Sequence, residues 1–184
     1  MVDLVGECVR AHLNVRRTHQ DWLAAHGVSP IAIYCPPPRL HGHFGVDRAQ
    51  FHGDLYEPAP DGVPVIVMGV SEHPDEPIID IVAFQPSDPT RWWLRLGNAV
   101  LLGLHNARLA VFEEAPVLVH GTPLDWLQAE CRGCCVLDWN ADILSRLEGY
   151  GVLTDAATGK RLEGAFQRHI HIPPVRVMEA QRAA

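Results

Sequence analysis

The apolar positions at the start of the chain recur at helical spacing. In residues 2–26 they include Leu4, Val5, Cys8 and Val9, and Gly27 follows. This spacing predicts one or two helices that end at the glycine. The next stretch, "VSPIAIYC", is short and apolar and precedes three prolines. It therefore predicts a strand that runs into a stiff, extended segment.

Residues 44–84 follow a different pattern. Four short apolar or alternating runs, "FGVDRAQF", "LYEPA", "VPVIVMGV" and "IIDIVAF", are separated by clusters of Gly, Asp and Pro. Runs of this length between turn residues predict an antiparallel β-meander. Asp80 stands among apolar neighbours in the last run. Its position indicates a strand with one partly solvated face.

The rest of the chain alternates helical and strand signals. The segment "SDPTRWWLRLGN" predicts a short helix. Asp88 can cap it, Pro89 suits its first position, and Gly97 can end it. Asn98 can cap a second helix that continues to about Glu114. Further on, "PVLVHG" and "GCCVLDW" predict strands, whereas "TPLDWLQAE", "ADILSRLE" and "TDAATGKRLEGAFQR" predict helices.

These patterns together predict an α+β fold, an antiparallel β-meander followed by a mixed α/β C-terminal half. The chain has 184 residues, of which 47% are hydrophobic, and this size suits one domain. We expect a single domain over residues 1–184. Its parts are a helical segment at 1–27, the meander at 28–86 and the α/β half at 87–184.

Charge and cysteine content narrow the class of protein. The net charge of −7 disfavours a general nucleic-acid surface, which depends on neutralising phosphates. The acidic residues Asp3 and Glu7 interrupt the N-terminal apolar segment, whereas a signal peptide has an uninterrupted one. No apolar run in the sequence is long enough for a membrane span. The five cysteines show no disulfide spacing. We expect a cytoplasmic protein without a membrane partner.

Three histidines and two aspartates in "RLHGHFGVDRAQFHGD" raise the question of a metal site. On a strand, His41 and His43 would share one face. With Asp47 they resemble the first metal-binding motif of the cupin family, which implies a β-barrel enzyme that holds a divalent metal with His41, His43 and either Asp47 or His52. Gly53 lies one residue earlier than the glycine of the cupin first motif, and no second cupin motif follows. The alternative is a solvated polar segment, for which no cofactor is expected.

The segment "CRGCC" and the later "HIH" offer the ligand types that zinc prefers. However, "GCCVLDW" reads as a buried strand, on which adjacent side chains face opposite sides. We therefore expect Cys134 and Cys135 to pack as small apolar groups. Val136 and Leu137 should also be buried, and the chain should emerge near Asp138.

The segment "RWWLR" is the main candidate for ligand binding. On the predicted helix, Arg91 and Arg95 would lie one turn apart and could bind an anionic group, with Trp92 available for stacking. The alternative is that Trp92 and Trp93 pack the helix onto the meander while the arginines pair with surface acids.

The segments "LYEPAPDG", "IIDIVAF", "DPTRWWLRLG" and "TPLDWLQAE" resemble a group of uncharacterised bacterial proteins associated with prophages and mobile elements. The resemblance covers the central half of the chain and implies no activity. No nucleophile elbow, zinc-protease motif or phosphate loop occurs. We therefore expect a non-catalytic binding or accessory protein that acts on a protein partner. The alternatives are a cupin-like metal enzyme using His41 and His43, and nucleic-acid or anionic-ligand binding at residues 91–95.

Overall fold

The computed structural model describes residues 2–34, 44–73, 75–105 and 115–169. The helices are α1 (Leu4–Leu13), α2 (Arg17–Ala25), α3 (Pro30–Tyr34), α4 (Pro123–Gln128), α5 (Ile143–Leu147) and α6 (Ala156–His169). The strands are β1 (Gly45–His52), β2 (Leu55–Pro58), β3 (Val63–Val70), β4 (Asp80–Gln85), β5 (Asp88–Leu94), β6 (Leu101–Leu102), β7 (Val117–His120), β8 (Cys134–Val136) and β9 (Val152–Leu153). The predicted α+β class is confirmed. None of the helices in these ranges is long and apolar enough to cross a membrane.

The N-terminal residues form two helices, as predicted. Asp3 caps α1 by accepting a hydrogen bond from the Gly6 N–H at 2.9 Å. Gly27 follows α2 in the left-handed conformation, with φ of +80°. The strand predicted after it is wrong, because residues 30–34 form α3. Proline suits the first turn of a helix, and the Ser29 hydroxyl accepts from the Ala32 N–H at 3.3 Å.

Five strands form a closed barrel in the order β1-β2-β5-β4-β3. The antiparallel pairing predicted for residues 44–84 is confirmed for β1 with β2 and for β3 with β4, and β1 also pairs antiparallel with β3. The order is not that of a simple meander, because β1 lies between β2 and β3. The barrel closes through a single parallel pair, Leu55 with Leu94.

The helix predicted over "SDPTRWWLRLGN" is wrong, because residues 88–94 form strand β5. The two tryptophans explain the difference. Trp93 packs inside the barrel with Phe51, whereas Trp92 packs on the outer face of the strand. Only a strand directs consecutive side chains to opposite faces. The Asp88 carboxylate accepts from the Thr90 hydroxyl at 2.6 Å, as two side chains on the same face of a strand can.

Helix α1 packs against β1 and β3 and shares a hydrophobic cluster with the inner face of the barrel. The close approach requires a glycine in β1, since a Cβ atom at Gly45 would lie 2.5 Å from the Ala11 Cβ. A salt bridge adds to this contact. The Arg95 Nε lies 3.0 Å from the Glu7 Oε2, and both side chains are largely buried.

Asp80 was predicted to lie on a partly solvated strand face, and this prediction is wrong. The residue is fully buried at the start of β4. Its carboxylate accepts four backbone N–H bonds, from Ile81 at 2.8 Å, Leu96 at 2.9 Å, Asn98 at 2.6 Å and Ala99 at 3.2 Å. Asp80 therefore holds the loop that leaves the barrel after β5.

A second sheet follows, with strand order β6-β8-β7-β9. The helix predicted from residue 98 is wrong over residues 101–102, which form β6, and residues 106–114 lie outside the described ranges. The predicted strands β7 and β8 and helices α4, α5 and α6 are confirmed. One face of this sheet packs with α5 and α6, and the other joins the cluster on the outer face of the barrel.

Candidate functional site

A cleft of about 470 Å³ lies where the barrel meets the second sheet. Its volume falls within the range of small-ligand sites. Its lining includes both charged side chains, such as Asp138 and Arg161, and aromatic ones, such as Trp92 and Trp139. It is the candidate functional site of the described part of the chain.

The barrel side of the cleft consists of β5 and the turn between β1 and β2. Thr90, Trp92 and Leu94 line it from the strand, Asp54 lines it from the turn, and Leu55 lines it from the start of β2. The Trp92 indole N–H donates to the Leu137 carbonyl at 2.9 Å. This bond joins the barrel to the second sheet and fixes the tryptophan ring between them.

The opposite side of the cleft follows directly after β8. Asp138 and Asn140 form a tight turn, in which the Asn140 N–H donates to the Asp138 carboxylate at 2.8 Å. Arg161 on α6 lies over the Trp139 ring, 4.1 Å from its centroid. Such a cation–π contact restricts the guanidinium while leaving its N–H donors available.

Four charged residues that line the cleft have no ion-pair partner among the described residues: Asp54, Arg91, Asp138 and Arg161. Partial burial lowers the pKa of Arg161 below its ordinary value. The guanidinium still carries its charge at neutral pH because that ordinary value is far above 7. The cleft thus presents two cations, Arg91 and Arg161, and two carboxylates to any bound molecule.

The residues predicted to bind an anion do not come together as a helix would place them. Arg91 borders the cleft, and its guanidinium lies 4.8 Å from the centroid of the Trp93 ring. Trp92 borders the cleft from the other face of β5. Arg95 pairs with Glu7 and does not line the cleft. That these three residues bind an anionic ligand stays a prediction.

Of the predicted metal ligands, His41 and His43 lie outside the described residues. Asp47 accepts from the Arg48 N–H at 2.8 Å and lines a second cavity of about 490 Å³ between α1 and the barrel. His52 is exposed at the end of β1. Within the described ranges, no group of three His, Cys, Asp or Glu residues is arranged to hold a metal.

The cysteines behave as the buried strand predicts. Cys134 and Cys135 are fully buried and belong to hydrophobic clusters on opposite faces of the second sheet. Val136 and Leu137 are buried, and Asp138 is the first residue to emerge. Burial raises the pKa of the Cys134 thiol to about 12, so the thiolate that a metal needs is disfavoured.

Sequence reasoning missed Arg161, Asp138, Trp139 and Asp54 as cleft residues. A signal was present for Asp138 and Trp139, because polar and aromatic residues directly after a buried strand often line a site at the end of a sheet. Arg161 had no such signal, since its helix carries other exposed charges of both signs. Only packing of the helix beside residue 139 brings it to the cleft.

Comparison of the chain with protein-family models, with curated proteins and with solved structures finds no match. The function proposed below therefore depends on the geometry and charge of the cleft.

Proposed function

We propose that the protein acts by binding a partner protein, and that the cleft between the barrel and the second sheet receives a segment of that partner bearing an acidic side chain. The supporting observation is Arg161, a cation held in place over Trp139 at an open cleft and without an ion pair among the described residues. A preorganised guanidinium suits bidentate recognition of a carboxylate.

The other cleft residues suit recognition of a peptide. Trp92 and Trp139 offer indole surface, and aromatic residues are common at protein interfaces. Asn140 and Thr90 offer neutral hydrogen-bonding groups. The side chains that line the cleft within the described ranges include no histidine, cysteine or lysine.

We place this activity in the cytoplasm, because Cys8, Cys134 and Cys135 are buried thiols and would need no oxidising compartment. An accessory role in a phage or mobile-element setting follows from the sequence resemblance alone. We propose no resident cofactor. The cupin-like metal enzyme remains a hypothesis about His41 and His43, for which metal analysis of the purified protein is the direct test.

The proposal can be tested by selecting short peptides from a random displayed library against the purified protein. We expect the selected peptides to share an acidic residue and to bind with a measurable affinity in titration. Arg161→Ala should weaken that affinity by about tenfold or more, since a charge-assisted hydrogen bond at a site of this kind contributes about 1.5–3 kcal/mol.

Lys160→Ala is the matched control, because it removes a positive charge from the neighbouring, exposed position of the same helix. Its binding should equal that of the unaltered protein. Arg161→Glu provides a stronger test, since it should reject the acidic peptide and accept a variant with lysine at that position. Peptides that bind equally well to the unaltered protein and to Arg161→Ala would contradict the proposal.

A further inference from the structure

We infer that strand β5 binds the partner segment as an added β-strand, through the backbone of Trp92. This inference rests on the proposed function and specifies how the cleft recognises its ligand. The partner would be an extended peptide that runs beside β5, with one acidic side chain directed to Arg161.

The first observation is the narrow closure of the barrel. Strand β5 is paired with β4 along one side, but on its other side only Leu94 has a partner, Leu55 of β2. The Leu94 N–H donates to the Asp54 carbonyl at 3.1 Å. Residues 88–93 extend past the first residue of β2, and no described strand pairs with them on this side.

The second observation is the direction of the Trp92 backbone groups. The Arg95 N–H donates to the Ile81 carbonyl at 2.8 Å, so the positions 81 and 95 form a hydrogen-bonded pair. Hydrogen-bonded pairs and non-hydrogen-bonded pairs alternate along an antiparallel ladder. Trp92 lies opposite Phe84, an odd number of residues before Arg95, so this pair is a non-hydrogen-bonded one. The N–H and C=O of Trp92 therefore point away from β4, toward the unpaired side.

The third observation is the place of this unpaired side in the molecule. Thr90, Trp92, Leu94 and Asp54 all line the cleft, so the unpaired side of β5 borders it at the point where Leu94 meets Asp54. The Trp92 side chain is fixed by its bond to the Leu137 carbonyl. The backbone at this position is thus held in an extended conformation before any ligand arrives.

An extended peptide is the ligand that these features favour. Strand addition supplies affinity through main-chain hydrogen bonds and specificity through alternate side chains. Side chains on the Trp92 face of the added strand would extend toward the second sheet, where Asp138 and Arg161 line the opposite wall. An unpaired strand edge without such a ligand is a site of unwanted association, which makes a dedicated partner advantageous.

Amide hydrogen exchange tests the geometry in the unbound protein. The Trp93 N–H is directed to β4 and serves as an internal control for its neighbour. We expect the Trp92 amide to exchange at least about tenfold faster than the Trp93 amide, because it has no acceptor among the residues that the structure describes. Binding of a peptide selected as described above should then slow exchange at Trp92 while leaving Trp93 unchanged. Equal protection of the two amides before binding would overturn the inference.

Methylation of each backbone nitrogen of the selected peptide in turn provides the second test. Strand addition predicts that every second methyl group reduces affinity by about tenfold or more, because alternate N–H groups face β5. Binding that depends on Arg161 but shows neither this alternation nor protection of Trp92 would overturn strand addition and leave the proposed function in place. Failure to select any peptide that depends on Arg161 would overturn both.

Discussion

Two regions at the ends of the barrel strands handle charge in opposite ways. At the start of β4, the buried carboxylate of Asp80 accepts four backbone N–H bonds. Beside β5, the charged groups of Asp54, Asp138 and Arg161 border an open cleft and form no ion pair within the described residues. A buried charge that is fully satisfied by the protein supports the fold, whereas an oriented charge without a partner is available to a ligand.

The difference also separates the two arginines of "RWWLR". Arg95 resembles Asp80, because its guanidinium makes two hydrogen bonds to Glu7, at 3.0 and 3.3 Å. Arg91 is exposed and lies over an aromatic ring. A pair of basic residues in a sequence can therefore divide between a structural and a surface role.

Removal of the Asp80 carboxylate should have the largest effect on stability. Asp80→Ala leaves four N–H groups without their acceptor, and we expect a loss of about 3 kcal/mol or more in the free energy of unfolding. Denaturant unfolding measures this loss. Asp61→Ala, at an exposed turn position, is the control and should change stability by less than about 0.5 kcal/mol. Equal effects of the two substitutions would show that the bonds to Asp80 do not support the fold.

Loss of the Arg95 side chain should have an intermediate effect. Only 11% of the Glu7 side chain is exposed, so Arg95→Ala leaves a carboxylate that is largely buried and without its cation. We expect a loss of about 2 kcal/mol, which the additional substitution Glu7→Gln should partly restore. Arg17→Ala is the matched control, since its ion pair with Asp21 is exposed. An unchanged midpoint of unfolding for Arg95→Ala would place this pair among the weak surface contacts.

Removal of Arg161 should have the smallest effect on stability. Its contact with Trp139 is a single cation–π interaction at a partly exposed site, so Arg161→Ala should cost no more than about 1 kcal/mol. Thermal or denaturant unfolding of the variant provides the measurement. A loss as large as that of Asp80→Ala would show that Arg161 supports the fold, and the comparison between the two regions would fail.

The sequence predicted most of the elements whose signals are local. The first helices, the antiparallel strands of residues 44–84 and the opposite faces of Cys134 and Cys135 follow from side-chain periodicity and from turn and cap residues. Two of the errors have a common origin. Residues 30–34 and 88–94 combine proline, short polar caps and apolar residues, and such segments suit a short helix or a strand equally well.

The sequence by itself determined the α+β class, the positions of the main turns and the burial of the β8 thiols, because each depends on residues close together in the chain. The tertiary structure decided that β5 closes the barrel, that Asp80 is buried and that Arg161 reaches the cleft. Each of these outcomes depends on contacts between segments far apart in sequence. Local periodicity carries no information about such contacts, since burial and partner choice arise only when the elements pack.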